Sequence, residues 1–294
     1  IDTDLDSRGD YLILVNGRPV KVPGDAVALA RLQYTDRGSH AVRTYSDLYP
    51  SLNANFTFRE NLIARAAYAR TLGRPNFQQI IPGSSVTDPS SSTRTITVNN
   101  SALDPWTANN YDLSLEYYFV KGGMASLGIF RKDITNFFGA TRLPATVDLL
   151  AQYGFSDYYL DYEIISQTNV GDARVTGFEY SYRQQLDSLH PLARGVGVFF
   201  NGTEMQLTGS TIADFSGFTD RTINWGVSFA RPRFSAKLNW NLTGRRRNAL
   251  LTGANVPGGV YAYTAGRVQL DLSLEYRLTK RIGLYLTARN LGNT

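Results

Sequence analysis

Cysteine is absent from the 294 residues, and histidine occurs only at His40 and His190. Without cysteine there is no disulfide, thiolate metal site or thiol nucleophile. The absence fits an oxidising compartment without demanding one. Two histidines argue against a multi-histidine metal centre. No run of roughly 18 uncharged apolar residues exists, so no transmembrane helix is available. Lysine is scarce, 5 Lys against 25 Arg, for a net charge of +5. The basic residues alternate with apolar ones or sit in loops rather than forming one stripe, which speaks against a nucleic-acid partner. The chain starts at Ile1 with no charged-then-apolar leader. It stops after Arg289 to Thr294 with no finished element, so it is expected to be an internal part of a longer protein.

What is abundant is aromatic: 18 Tyr, 15 Phe and 3 Trp, too many for a disordered chain. The dominant pattern is alternation with period two. Val268, Leu270, Leu272, Leu274, Tyr276 and Leu278 alternate with Gln269, Asp271, Ser273, Glu275 and Arg277. A strand sends successive side chains to opposite faces, so such a segment has one apolar and one polar face. The pattern recurs at 223–229, 234–243 and 111–117, and further strands are expected at 46–58, 62–71, 124–138, 173–185, 195–208 and 282–290. That makes ten strands.

The predicted connections alternate too. Short ones fall at 59–61, 120–123, 231–233 and 279–281, with a somewhat longer one at 186–194; long ones fall at 72–108, 139–172, 209–219 and 244–265, and 1–44 reads as mostly another. This is an up-and-down meander. Alternation alone fits a soluble β-sandwich or a lipocalin-like barrel as well as a membrane barrel. Three features favour the membrane. Tyr45, Tyr49, Tyr117, Tyr118, Phe119, Phe137, Phe138, Tyr276 and Tyr285 lie near strand ends, as interfacial girdles would. Arg65, Asp112, Glu116, Lys237, Asp271 and Glu275 on the polar face suit a wet lumen. Long loops on one side only are unusual for a sandwich.

Several segments carry a family resemblance. Tyr45 to Asn53, followed by Leu62 to Phe77 (LIARAAYARTLGRPNF), resembles the "LPSLN … LRAAYSKTLARPNF" block of TonB-dependent outer-membrane receptors. Asn109 to Phe119 (NNYDLSLEYYF), Phe130 to Phe137 (FRKDITNF), Gly171 to Glu179 (GDARVTGFE) and Arg289-Asn290-Leu291 resemble later blocks in the same order. The resemblance covers about residues 44–294. It implies an all-β, antiparallel up-and-down transmembrane barrel, of which this chain supplies about ten of some 22 strands. It also implies a plug domain and TonB box, early strands and a last strand that lie outside this sequence. Its functional implication is energy-coupled uptake of a siderophore, cobalamin or oligosaccharide across the bacterial outer membrane. The implied partners are membrane lipid and lipopolysaccharide, the plug, TonB through the plug, and the solute. A passive porin or adhesin barrel without a plug is the alternative.

No catalytic constellation, cofactor motif or metal site is expected. In a meander His40 and His190 fall at opposite ends, about 25 Å apart across the membrane, and cannot share a metal or triad. Glycine-rich stretches at 253–259 and 120–123 lack the Lys-Ser/Thr of a phosphate loop. Asp112 and Glu116 share a strand face about 13 Å apart, too far for paired-carboxylate chemistry.

Three loop features could contact a ligand. Arg245, Arg246 and Arg247 could hold an anionic solute or lipopolysaccharide phosphate through guanidinium forks, or simply be solvated. Tyr153, Phe155, Tyr158, Tyr159 and Tyr162, with Asp157, Asp161 and Glu163, could stack on a sugar and accept its hydroxyls, or pack on themselves around a short helix near 146–153. The stacking reading leans toward a saccharide. Trp106 could be a third contact, or an interfacial anchor, which is favoured.

Overall fold

A computed structural model describes residues 3–5, 10–15, 18–23, 26–37, 41–42, 44–119, 122–188, 190–209, 215–251 and 260–292. Ten long strands form one antiparallel meander: β1 (Ser51–Arg59), β2 (Leu62–Gly73), β3 (Trp106–Phe119), β4 (Gly123–Pro144), β5 (Glu163–Gln185), β6 (Val196–Gly209), β7 (Arg221–Ala230), β8 (Phe234–Thr243), β9 (Arg267–Arg277) and β10 (Gly283–Ala288). Each pairs with its sequence neighbour, in the order expected from the alternation.

The register shows why the alternation matters. Residues directly opposite each other in an antiparallel pair share a face. Phe56, Ala64, Leu115, Leu127, Tyr180, Gly202, Ile223, Leu242 and Val268 therefore form one row across nine strands, and every member lacks a polar side chain except for the Tyr180 hydroxyl. One residue further along, Asn55, Arg65, Ser114, Gly128, Glu179, Thr203, Thr222, Thr243 and Arg267 make a row on the other face. There Arg65 Nε donates to Glu116 at 2.8 Å, Arg65 Nη1 donates to Asn55 at 3.0 Å, and the Tyr118 hydroxyl donates to Glu116 at 2.8 Å.

The apolar face is bare. Leu113 is 51% exposed, and Leu127 and Ile129 are each 56% exposed. No member of the apolar row other than Gly202 is buried, and the buried hydrophobic side chains of the strands lie in their long-loop halves. A sandwich would cover this face with a second sheet. A wall that leaves it uncovered suits contact with lipid. Among the described residues no helix is long and apolar enough to cross a membrane.

Some sequence expectations need correcting. The segment 139–172 is not one long loop. β4 and β5 run for 22 and 23 residues, so their hairpin continues far past a membrane thickness and only 145–162 connects them. At Asn136 the backbone turns left-handed (φ 61°), and the register shifts between Asn169 and Ala173. The bulge reorients the arm where it leaves the wall. The segment 72–108 holds a capped turn of helix (Phe77–Ile80) and two short strands (Ser84–Val86, Thr95–Val98). Residues 1–44 hold a three-stranded antiparallel sheet (Thr3–Leu5, Asp10–Val15, Arg18–Pro23) and helix Ala26–Arg31.

The girdle is smaller than expected. Tyr117, Phe119, Tyr182 and Tyr276 keep the parity of the apolar face, and Phe119 packs edge-on against Tyr117 and Tyr182. Tyr118 and Tyr285 have the opposite parity: Tyr118 bonds Glu116, and Tyr285 lies opposite Glu275. Consecutive aromatic residues on one strand cannot all face the same way.

Candidate functional site at the long-loop end

Three assemblies lie toward the long-loop end of the strands. The first is a small hydrophobic core built by two loops. The short strand Thr95–Val98 runs parallel to the start of β5, with Glu163 opposite Thr95 and Ser166 opposite Val98. This joins the loop after β2 to the β4–β5 arm. The helix Val147–Gln152, capped by the Thr146 side chain, closes over the pairing. The core contains Val86, Ile96, Val98, Leu150, Phe155, Tyr159, Tyr162 and Ile164.

This core reallocates most of the aromatic-acidic candidates. Tyr159 is 0% exposed, with its ring edge-on to Phe155, Tyr158 and Tyr162. Tyr153 and Tyr158 are half-buried against the same cluster. Asp161 is ion-paired with Arg94, and Glu163 with Arg142 at 2.9 Å. The segment is therefore a self-packed loop around a short helix. Burial pushes the Tyr159 phenol far above its ordinary range, and burial with the neighbouring Tyr158 pushes Tyr162 up to about 12. The Arg37 guanidinium lies 4.1 Å from the Phe155 ring centre and closes the other side.

The second assembly is aromatic and belongs to the polar face. Ala108, Ile134 and Ala173 stand opposite one another on β3, β4 and β5. Trp106, Phe137, Val175, Leu207 and Phe215 pack on them. Phe137 stacks on Phe215 with ring centres 4.4 Å apart and planes 10° from parallel, and Trp106 lies 5.9 Å from Phe137. Trp106 is thus not an interfacial anchor, and Phe137 is not a girdle residue. The reason for Phe137 is the bulge at Asn136, which reverses side-chain parity beyond it.

The third assembly is a basic hairpin, Arg246–Leu250 paired with Tyr261–Thr264. The Arg245 guanidinium lies 5.2 Å from the Tyr263 ring and Arg247 lies 4.3 Å from the Tyr261 ring. Aromatic faces hold guanidinium groups by cation–π attraction while leaving their N–H edges available. Arg246 pairs with Thr219 through a backbone bridge. The Gly217 N–H donates to the Arg247 carbonyl at 2.8 Å, and the Arg247 N–H donates to the Phe218 carbonyl at 2.8 Å. Segment 215–219 therefore carries Phe215 to the aromatic stack and bonds the arginine hairpin. The two assemblies form one ledge.

The sequence reading pointed to Trp106 and the three arginines but missed Phe215, Tyr261 and Tyr263. The period-two spacing of Tyr261 and Tyr263 was a usable signal; the stacking of Phe215 on a residue 78 positions earlier was not. His190 is exposed in the 186–195 connection, away from the ledge, and His40 and the glycine stretch 253–259 lie outside the described residues. Among the described residues no three His, Asp or Glu side chains converge on a possible metal position.

A strand wall with a bare apolar face, a polar second face and loops gathered at one end defines part of an outer-membrane-type β-barrel. The comparisons give the family. The profile described as "TonB dependent receptor-like, beta-barrel" matches residues 25–291, and the chain belongs to this family of outer-membrane receptors. Comparison with curated proteins gives no match. Among solved structures, a mutant of the ferric enterobactin receptor from Pseudomonas aeruginosa is 24% identical with a TM-score of 0.64, over 83% of this chain and 34% of that one. The siderophore receptor PirA from the same organism is 21% identical with a TM-score of 0.58, over 84% of this chain and 39% of that one. The copper transporter OprC is 15% identical with a TM-score of 0.57, over 84% of this chain and 34% of that one. The chain thus spans little more than a third of the length of these relatives.

Proposed function

We propose that this chain forms part of the barrel of an outer-membrane receptor that takes up a scarce solute, with energy delivered through TonB and a plug domain. The chain contributes a wall and a binding ledge and performs no covalent chemistry. The observation that carries the reading is the ledge in which segment 215–219 links the Trp106, Phe137 and Phe215 rings on the polar face to the hairpin that holds Arg245 and Arg247 on its tyrosines.

That chemistry favours an anionic solute with flat or aromatic groups over a neutral saccharide. Guanidinium forks match carboxylate and catecholate oxygens, and the rings offer stacking area. The tyrosines that suggested a saccharide hold the loop core instead. A ferric siderophore fits best, and siderophore receptors are among the structural relatives. Tyr153, Tyr158 and Arg246 remain candidates for the rim of the site.

Whole-cell uptake tests this with the full-length protein that contains the chain. Cells are offered labelled ferric siderophores, cobalamin and oligosaccharides, with and without an uncoupler of the inner-membrane proton gradient. The expected result is uncoupler-sensitive uptake of an anionic siderophore, with half-saturation raised about tenfold by R245Q/R247Q, the equivalent of about 1.4 kcal/mol. Uptake that survives the uncoupler would point instead to a passive channel. Uptake of a neutral oligosaccharide alone would overturn the choice of solute.

A further inference from the structure

The short-turn end of the wall is basic over three successive connections. The β5–β6 connection carries Arg194, the β7–β8 turn carries Arg231 and Arg233, and the β9–β10 turn carries Lys280 and Arg281. All five residues are exposed. None of them forms an ion pair among the described residues. The only carboxylate in the three connections is Asp187, so five cations face one anion. The β1–β2 turn is balanced by contrast, with Arg59 beside Glu60.

The backbone fixes this row. The Ala230 N–H donates to the Gly195 carbonyl at 2.8 Å and joins the first connection to the second. The Arg277 N–H donates to the Arg233 carbonyl at 2.8 Å and joins the second to the end of β9. Thr279 Oγ1 accepts from the N–H groups of Arg281 at 3.1 Å and Ile282 at 3.0 Å, which sets Lys280 and Arg281 at the tip of a tight turn. The Arg231 guanidinium lies 5.3 Å from the Phe229 ring centre, which supports it while leaving its N–H edges available. Successive turns lie two strand spacings apart, about 10 Å.

The short turns of an outer-membrane barrel face the periplasm. There the row calls for an anion, and forked guanidinium donors match carboxylates. The charges sit on turn tips, and the basic zone continues onto the polar side of the wall at Arg277, which bonds Glu275 at 3.3 Å. It is therefore not a rim turned only toward lipid. Neither hydrophobic cluster of the described residues lies at this end. An open, evenly spaced row of like charges suits a repeating polyanion better than a folded protein, whose interfaces centre on a buried apolar patch. We infer that Arg194, Arg231, Arg233, Lys280 and Arg281 dock the carboxylates of the cell-wall glycopeptide, peptidoglycan, and tether the barrel to it. The inference rests on the outer-membrane orientation of the family and is independent of the solute.

The test sediments the full-length protein, purified in mild detergent, with purified peptidoglycan sacculi. R231Q/R233Q/K280Q/R281Q is expected to need about tenfold more protein for half-maximal binding, as four exposed pairs of modest strength would imply. Amidation of the sacculus carboxylates should weaken wild-type binding to the same degree. R231K/R233K should keep most of the binding, and R94Q/R142Q, which removes two charges at the long-loop end, should bind as wild type does. If the fourfold variant does not fold, as judged by its urea midpoint, R231Q/R233Q and K280Q/R281Q are each read alone. Binding unchanged in all three glutamine variants of the turns would overturn the inference. Wild-type binding to phosphatidylglycerol vesicles but not to sacculi would assign the row to lipid and overturn it too, and binding to sacculi only in the presence of periplasmic extract would assign it to a protein. Cleavage within 186–195 by protease added to intact cells would put the short turns outside and overturn the receptor reading with it. Uncoupler-resistant uptake alongside intact, charge-dependent sacculus binding would overturn the receptor reading alone.

Discussion

The indole of Trp106 lies directly across Gly73: a methyl group on Gly73 would fall 2.0 Å from Trp106 Cε2 and 2.4 Å from Nε1. The two residues stand opposite each other where β2 and β3 leave the wall. Glycine here is a seat for an aromatic ring rather than a flexible joint. The ring it seats reaches Phe137 and, through it, Phe215. Gly73→Ala is expected to lift the indole and disturb that stack at a cost of about 1–3 kcal/mol, the range for overpacking. Emission from Trp106, read in a background with Trp225 and Trp240 changed to Phe, should shift to longer wavelength as the ring gains water. Emission and a urea midpoint identical to the parent would show that the ring does not depend on this seat.

Adjacent residues on β3 test which face meets lipid. Leu113 belongs to the bare apolar face and Ser114 to the opposite one. A charge on the lipid side of a barrel costs about 2–4 kcal/mol near the bilayer midplane, whereas a wet lumen tolerates one. Leu113→Arg is expected to lower the unfolding free energy in lipid vesicles by that amount, and Ser114→Arg to leave it within about 0.5 kcal/mol. The reverse ranking would invert the assignment of faces.

Most of the wall was legible because alternation is a local signal. A residue such as Leu272 reports its face through Asp271 and Ser273, whatever lies elsewhere in the chain. All ten strands and their order follow from it, with most ends within about five residues, whereas β4 runs six residues further and β5 begins ten residues earlier than expected. The β4–β5 arm escaped because Gly139, Ala140 and Thr141 do not alternate; their strand form comes from pairing with Gln167, Thr168 and Ser166. Parity beyond Asn136 was hidden because a bulge is a backbone event that leaves the pattern of residue types intact. The candidate site was legible only as a set of loops. Which aromatic residue supports a loop and which is offered to a ligand depends on contacts across long sequence separations, such as Ile96 with Ile164.

The tyrosine core of the loop should respond to alkaline pH. Tyr162 is 2% exposed, and its hydroxyl donates to the Thr87 carbonyl at 3.4 Å. Its pKa in the folded loop is about 12, against about 10 for an unfolded tyrosine. The folded state therefore holds the proton more tightly. The stabilisation is fully present below about pH 10 and is lost as pH rises toward 12. Tyrosinate absorbance should show a late-titrating component that loses one phenol in Tyr162→Phe, and proteolysis within 145–162 should accelerate over the same interval. A titration unaffected by Tyr162→Phe would count against burial of this phenol.

The same loop separates the effect of packing from that of surface charge. Arg94 and Asp161 are ion-paired, but their side chains are 47% and 51% exposed, and water screens such a pair to about 0–1 kcal/mol. Leu150 is 0% exposed at the centre of the core, where truncation leaves a cavity costing about 2–5 kcal/mol. Leu150→Ala is expected to speed cleavage within the loop at least tenfold, and Arg94→Gln to change it less than threefold. Neither should move the unfolding midpoint of the wall, because the apolar row from Phe56 to Val268 shares no residue with the loop core. A large effect of Arg94→Gln would mean that the ion pair, rather than the buried cluster, holds the loop closed. Coupled loss of the wall with Leu150→Ala would mean that loop and strands unfold as one unit, and that ligand-binding loops and membrane strands could not vary independently.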